Sequence, residues 1–200
     1  MKRSTVILLV VLGVIFLFVI GTYRWGKNTY NAMVVKREAV TGQWGNVQTQ
    51  YQRRMDLIPN FVASVKGAAN FEQSTLTQVI EARAKATSVT IDPKNITPDA
   101  LAQFQKAQSG VTSALGRLMV VVEKYPELKA TQNFRDLQTE LEGTENRIAT
   151  QRQLFNDLAK DYNTYIQSFP QTIFASMFHF TERPYFTSAE GADKAPELKF

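Results

Sequence analysis

The sequence predicts an all-α protein, an N-terminal transmembrane helix followed by an antiparallel bundle of long helices. Three observations carry this expectation. Nineteen residues from Thr5 to Tyr23 pass without a charge. Beyond them, apolar residues recur at steps of three and four along most of the chain, which is the repeat of one helix face. No run of alternating apolar and polar residues competes as a strand.

The apolar run Val6 to Ile20, with Leu9, Leu12 and Phe16 inside it, comes first. A helix rising about 1.5 Å per residue needs roughly 20 residues to cross a hydrocarbon core about 30 Å thick. Lys2 and Arg3 precede the run, and Tyr23, Arg24, Trp25 and Lys27 follow it; aromatic rings and cations are the residues that settle at a headgroup layer. Residues 1–27 therefore read as a membrane anchor in contact with lipid. A cleaved signal peptide also opens on cations and an apolar stretch, but this run exceeds the usual apolar core and no small-x-small cleavage site follows. The chain has no cysteine, so a lipid-modified cysteine anchor is excluded. Lys2 and Arg3 favour a cytoplasmic N-terminus, whereas Arg24, Lys27, Lys36 and Arg37 oppose it. The short leader, read as a signal anchor, places the bundle on the periplasmic or extracytoplasmic side of a bacterial inner membrane.

Residues 28–187 read as the bundle domain. A seam runs through Tyr30, Val34, Arg37, Val40, Trp44, Val47, Tyr51, Met55, Ile58, Val62 and Val65, interrupted only by Arg37. Pro59 is expected to start a new helix after a kink, because its ring denies the preceding turn a hydrogen bond. A second helix is expected from Glu72 to about Thr87, with Leu76, Val79, Ile80 and Arg83 on one side. Residues 88–98, with two prolines and several turn formers, read as a loop. Pro98 suits the first turn of a third helix, with Thr97 as N-cap and Asp99 favourable to the dipole. Its face carries Leu101, Phe104, Val111, Leu115, Leu118, Val121 and Val122, and Tyr125-Pro126 ends it. The last long helix is expected from about Glu127 to Ser168, with Phe134, Leu137, Leu141, Ile148, Phe155, Tyr162, Ile166 and Phe169 along its apolar stripe. Long one-stripe helices on short connections bury themselves best as an antiparallel bundle with coiled-coil-like seams. Residues 188–200, small, charged and proline-bearing, read as a flexible tail.

Charge excludes one partner class. The formal charge is +5, but four of the 23 basic residues flank the anchor, and from Asn28 onward 19 basic residues face 18 acidic ones. A nucleic-acid partner needs a cationic stripe, and none is concentrated here. Enzyme chemistry is poorly represented too. The sole histidine is His179, thiol chemistry is absent, and no Glu-x-x-His pair, Gly-rich phosphate loop or Gly-x-Ser-x-Gly elbow occurs. The sequence therefore predicts no catalytic residues, no metal and no cofactor.

Two features stand out against the apolar seams. Glu145, Arg152 and Asn156 interrupt the stripe of the last helix, and Arg53, Arg54 and Asp56 precede Leu57-Ile58-Pro59. These six read as an inter-helix polar network that fixes register, with a polar binding cleft as the sharper alternative. After Pro170, the residues Ile173, Phe174, Met177, Phe178, Phe180, Tyr185 and Phe186 form an aromatic-rich segment. A short amphipathic helix here would close the core, or lie on the bilayer or a neighbouring copy. Phe174, Met177, Phe178, Phe180, Tyr185 and Phe186 are the candidate interaction surface.

The blocks QYQRRMDLIPNFVASVKG at 50–67, EARAKA at 81–86, YPELKATQNFRDLQTELEGTENRIATQRQLFND at 125–157 and YNTYIQSFP at 162–170 resemble the LemA family. The likeness extends over nearly the whole chain, anchor included. It implies one N-terminal transmembrane helix and a helical bundle, with no defined reaction; one branch is associated with membrane organisation in magnetosome formation. The expected function is a non-enzymatic, membrane-anchored bundle that self-associates as a homo-oligomer and organises or shapes the cell envelope. The rival is a ligand- or partner-binding sensor or adaptor working through another membrane protein. Only a few residues precede Val6, which on this reading leaves no output domain across the membrane and disfavours the rival.

Overall fold

A computed structural model describes residues 3–66 and 72–187. Six helices follow one another: α1 (Arg3–Lys66), α2 (Gln73–Ser88), α3 (Pro98–Val122), α4 (Pro126–Lys129), α5 (Gln132–Gln167) and α6 (Gln171–Met177). No strand occurs among the described residues. Lys2 and the expected tail, 188–200, lie outside them.

Helix α1 has 64 residues, about 96 Å at the usual rise. No break separates an anchor from the bundle at residue 27. Val6 lies within this helix, and from Ile7 to Ile20 every large apolar side chain is 38–74% exposed, so none of the other described residues buries the run. Burial starts at Thr29 and Met33, then continues through Val40, Trp44, Val47, Tyr51, Met55, Ile58, Phe61, Val62 and Val65. Arg37, the interruption in that seam, places its guanidinium 5.2 Å from the centre of the Phe180 ring, a cation–π contact that makes it compatible with the core's edge.

The expected helix start at Pro59 is corrected, because α1 runs through it. Proline lacks the N–H that would bond the carbonyl four residues back, here Met55 O. That oxygen instead accepts the Arg83 Nε–H at 2.8 Å, so α2 replaces the bond that Pro59 removes. Arg83→Ala is therefore expected to cost about 1.5–3 kcal/mol, the range for a bond to a charged donor. The cost should fall by more than half in a Pro59→Ala background, where the helix supplies its own donor. A double-mutant cycle by urea denaturation measures the coupling.

Helices α1 and α5 pack along each other, and α2 packs on α3. Two cores result. Beside the anchor, Met33 to Tyr51 of α1 meet Leu101 and Phe104 of α3, Ile148 to Ile166 of α5, and Phe180 and Phe186. At the far end, Met55 to Val65 meet Leu76 and Val79 of α2, Ala107 to Val122 of α3, and Phe134 and Leu141 of α5. The order of contacts alternates helix directions, as the sequence predicts. Thr97 caps α3, its Oγ1 accepting from Ala100 N at 3.2 Å. The last helix differs from its expected span of 127–168. Pro126 opens a single turn, α4, and Thr131 then caps α5 by accepting from Phe134 N at 3.4 Å. Ile80, expected on the apolar side of α2, is 47% exposed, and Phe169, expected on the stripe of the last helix, lies past its end and is 80% exposed.

Candidate functional site

The two cores meet at a polar layer built around Arg54, whose side chain is 1% exposed. Apolar residues, aromatic and aliphatic toward the anchor and mostly aliphatic beyond it, lie on both sides, so the charge needs partners. Its Nη1 donates to Glu145 at 2.6 Å and to Thr112 Oγ1 at 3.0 Å. Nη2 donates to the Gln108 side-chain oxygen and to Gln108 O at 3.3 Å. The guanidinium also lies 5.1 Å from the Tyr51 ring centre. Its Nε has no hydrogen-bond partner among the described residues. This layer borders a cleft of about 290 Å³ between α1, α3 and α5, reached also by Gln105, Ser109, Ser113, Arg152 and Thr187.

The structure divides the six residues expected to form one network. Arg54 and Glu145 bridge α1 and α5. Arg53 also bridges these helices, reaching Glu140 at 2.6 Å on the surface, where Arg147 shares the same carboxylate oxygen at 3.0 Å. Asp56 is a correction: it is exposed and accepts only from Gln52 on its own helix, at 2.8 Å, because its side chain points away from α5 into solvent. Asn156 is a correction of another kind, since its partner belongs to the extended segment after α6 rather than to a helix; Arg152 interacts with the Tyr51 phenol of α1 and reaches that segment as well. Arg152 Nη2 donates to Thr187 O at 2.9 Å.

That segment, 178–187, runs back along α5 as a strap. Asn156 donates to Phe186 O at 2.9 Å and accepts from Phe186 N at 2.8 Å. Asn163 does the same with Arg183 O and N, both at 2.8 Å. The register follows from geometry. Seven residues of helix rise about 10.5 Å, and three extended residues cover about 10 Å, so two side-chain amides two turns apart meet backbone three residues apart. Tyr162 adds a bond to Thr181 O at 3.0 Å, and Arg183 Nη1 donates to Lys94 O at 3.1 Å. Gln108, Asn163 and Arg183 are thus structural counterparts that the sequence analysis did not single out. The repeat of Asn at 156 and 163 is the one signal in the chain that points to the strap.

Burial is the leading cause that raises both the Tyr51 and Tyr162 phenols above their ordinary value and lowers Arg183 below its own. A phenol raised in the folded state ionises first in the unfolded one. Its contribution to stability is full below about pH 10 and is lost as pH rises through the folded value. Tm is therefore expected to fall above pH 10, less steeply in Tyr162→Phe, as followed by circular dichroism.

The candidate interaction surface also divides. Phe180 and Phe186 are 9% and 5% exposed and belong to the core, which corrects their assignment; the strap's backbone bonds turn these rings inward. Phe174 is half-buried, whereas Met177, Phe178 and Tyr185 are 62%, 48% and 42% exposed. Helix α6 sits where α1 leaves the apolar run. Phe174 meets Trp25 edge-on at 5.0 Å, and Phe178 meets Tyr30 at 4.9 Å. Gly26 permits the approach, since a Cβ there would lie 3.1 Å from the Phe174 ring. An apolar groove of about 540 Å³ opens between the helices, lined by Phe18, Val19, Tyr23, Lys27, Phe174 and Phe178. Tyr23 itself is 73% exposed and Trp25 41%.

A four-helix bundle continuous with one exposed apolar helix defines a class, the membrane-associated helical proteins with a candidate N-terminal transmembrane helix. The LemA family model matches residues 43–200, and the chain belongs to the LemA family. It is 28% identical to magnetosome protein MamQ 2 of Paramagnetospirillum magneticum and, equally, to magnetosome protein MamQ of Magnetospirillum gryphiswaldense. Each match runs over 183 residues, 82% of this chain and 66% of the relative. Protein LemA of Metamycoplasma hominis is 26% identical over 123 residues, 62% of this chain and 52% of that one. The chain thus spans just under two thirds of the MamQ proteins' length and about half of that LemA's.

Proposed function

We propose that this protein is a non-enzymatic scaffold that self-associates in the plane of a bacterial inner membrane and organises or shapes the cell envelope, with its bundle on the extracytoplasmic side. The observation that carries the reading is the unbroken α1, half bare apolar helix and half bundle seam. A continuous helix fixes the bundle's attitude to the bilayer, so neighbouring copies present the same faces at the same height. Confinement to a surface then raises the effective concentration of weak side-by-side contacts. Relatives named as magnetosome proteins support a role in a membrane-bounded assembly. In lipid nanodiscs and liposomes, copy number per particle read by mass photometry and photobleaching should exceed one and rise with protein density. A strict monomer in both would refute self-association.

The polar cleft favours one rival, a ligand- or partner-binding adaptor working through another membrane protein. Its warrant is the buried Arg54 with one uncommitted N–H. A second membrane protein co-purifying in fixed stoichiometry would select this rival.

A further inference from the structure

Exposed apolar side chains continue beyond the apolar run of α1, onto α6. Helix α6 shows the bundle one face and leaves the other bare. Ala175 is 5% exposed and Phe174 is turned toward Trp25, whereas Phe169, Ile173 and Met177 are 80%, 51% and 62% exposed. Ile173 and Met177 lie four residues apart on one face of α6, and Phe169, in the turn before the helix, adds a third bare side chain. From Gln167 to Phe180 there is no Asp, Glu, Lys or Arg, which removes the charges that would hold this segment in water.

Position decides what covers that face. Trp25 lies five residues past Ile20, a rise of about 7.5 Å from the end of the apolar run. The interfacial layer beyond the hydrocarbon core is about 5–8 Å thick on each side. The groove beneath α6 reaches lower still, because Phe18 and Val19 of the run itself form its floor. Lys27 stands at its upper rim, with Arg24 one turn below. We propose that α6 is an interfacial helix, seated in the leaflet from which α1 emerges, with Phe169, Ile173 and Met177 among the acyl chains and a phospholipid tail in the groove beside Phe174 and Phe178. Lys27 and Arg24 are then placed for the headgroup phosphate. The bundle is held to the bilayer at two points, and a tether becomes a clamp that restrains tilt and rotation about α1.

The absence of cysteine makes the test direct. Single-cysteine variants of the full chain, Phe169→Cys, Ile173→Cys, Met177→Cys and, as reference, Val120→Cys, carry a nitroxide in liposomes of phosphatidylcholine and phosphatidylglycerol. All four positions are exposed, so the label disturbs no core. Val120 belongs to the far end of the bundle, about 60 Å along α1 from Trp25 by helical rise. Collision rates with oxygen, which enters lipid, and with a nickel chelate, which stays in water, are read by electron paramagnetic resonance. The oxygen-to-nickel ratio should be several-fold higher at 169, 173 and 177 than at 120. Ratios equal to that at 120 would overturn the proposal by placing α6 in water. Protection from both reagents would also overturn it, and would assign the face to a second copy; this outcome leaves the scaffold reading standing.

Discussion

Replacing Glu145 with alanine is expected to destabilise the bundle by about 3 kcal/mol, and replacing Arg152 by about 1 kcal/mol or less. From the sequence the two look alike, charged residues seven apart on one apolar stripe. In the fold they do different work. Glu145 is the carboxylate that meets a guanidinium 1% exposed, so its removal strands a buried charge with only Gln108 and Thr112 as neutral partners. Glu145 is itself 38% exposed and borders the cleft, where water partly replaces it; that places the cost at the lower end of the range for broken buried pairs. Arg152 lies at the cleft's mouth, donates to one backbone oxygen and rests 4.8 Å from the Phe186 ring centre, contacts that water and salt dilute. The paired replacement Arg54→Met with Glu145→Met should recover most of the lost stability, because apolar residues of similar length fill the layer without a charge. Urea unfolding in detergent micelles, followed by circular dichroism, reads all three. Equal losses at 145 and 152 would mean that Arg54 draws its compensation from solvent rather than from Glu145.

The helices were legible because their periodicity is long and their breaks are chemical: Thr97-Pro98 and Tyr125-Pro126 mark boundaries that the structure keeps. Pro59 misleads because its lost hydrogen bond is repaired from 28 residues away, by Arg83, and local rules cannot see a donor on another helix. The polar residues show the same limit. Their presence on apolar seams signals partners, but the spacing does not say whether the partner is a helix, as for Arg54 and Glu145, or an extended backbone, as for Asn156. The aromatic segment after Pro170 reads as one amphipathic patch, yet the strap reverses it at Phe180, burying Phe180 and Phe186 and leaving Met177, Phe178 and Tyr185 exposed. His179, with φ 56°, lies at this reversal; a left-handed residue between Phe178 and Phe180 lets successive rings face different neighbours.

Phe186→Ala should cause the largest loss, about 3–5 kcal/mol, as for other buried aromatic truncations. The ring stacks on Trp44 at 5.9 Å and 20°, meets Phe155 edge-on at 5.3 Å, and is 5% exposed. Truncation leaves a void beside Trp44, the largest fully buried residue of α1. The loss does not end there. Its backbone N and O hold the Asn156 amide, and a strap without its anchor ring has little reason to stay in register. Asn156→Ala removes the same clamp while keeping the ring, and should cost about 1–2 kcal/mol through two hydrogen bonds. The two variants therefore separate packing from register. Fluorescence distinguishes them directly in a Trp25→Phe background, where Trp44 is the remaining tryptophan. Phe186→Ala should shift its emission to the red as water reaches the indole, whereas Asn156→Ala should leave it unchanged until the protein unfolds. If Phe186→Ala left both stability and emission intact, the strap would be a passive covering; a coupled loss would make it the latch that ties helix α6 to the centre of the bundle.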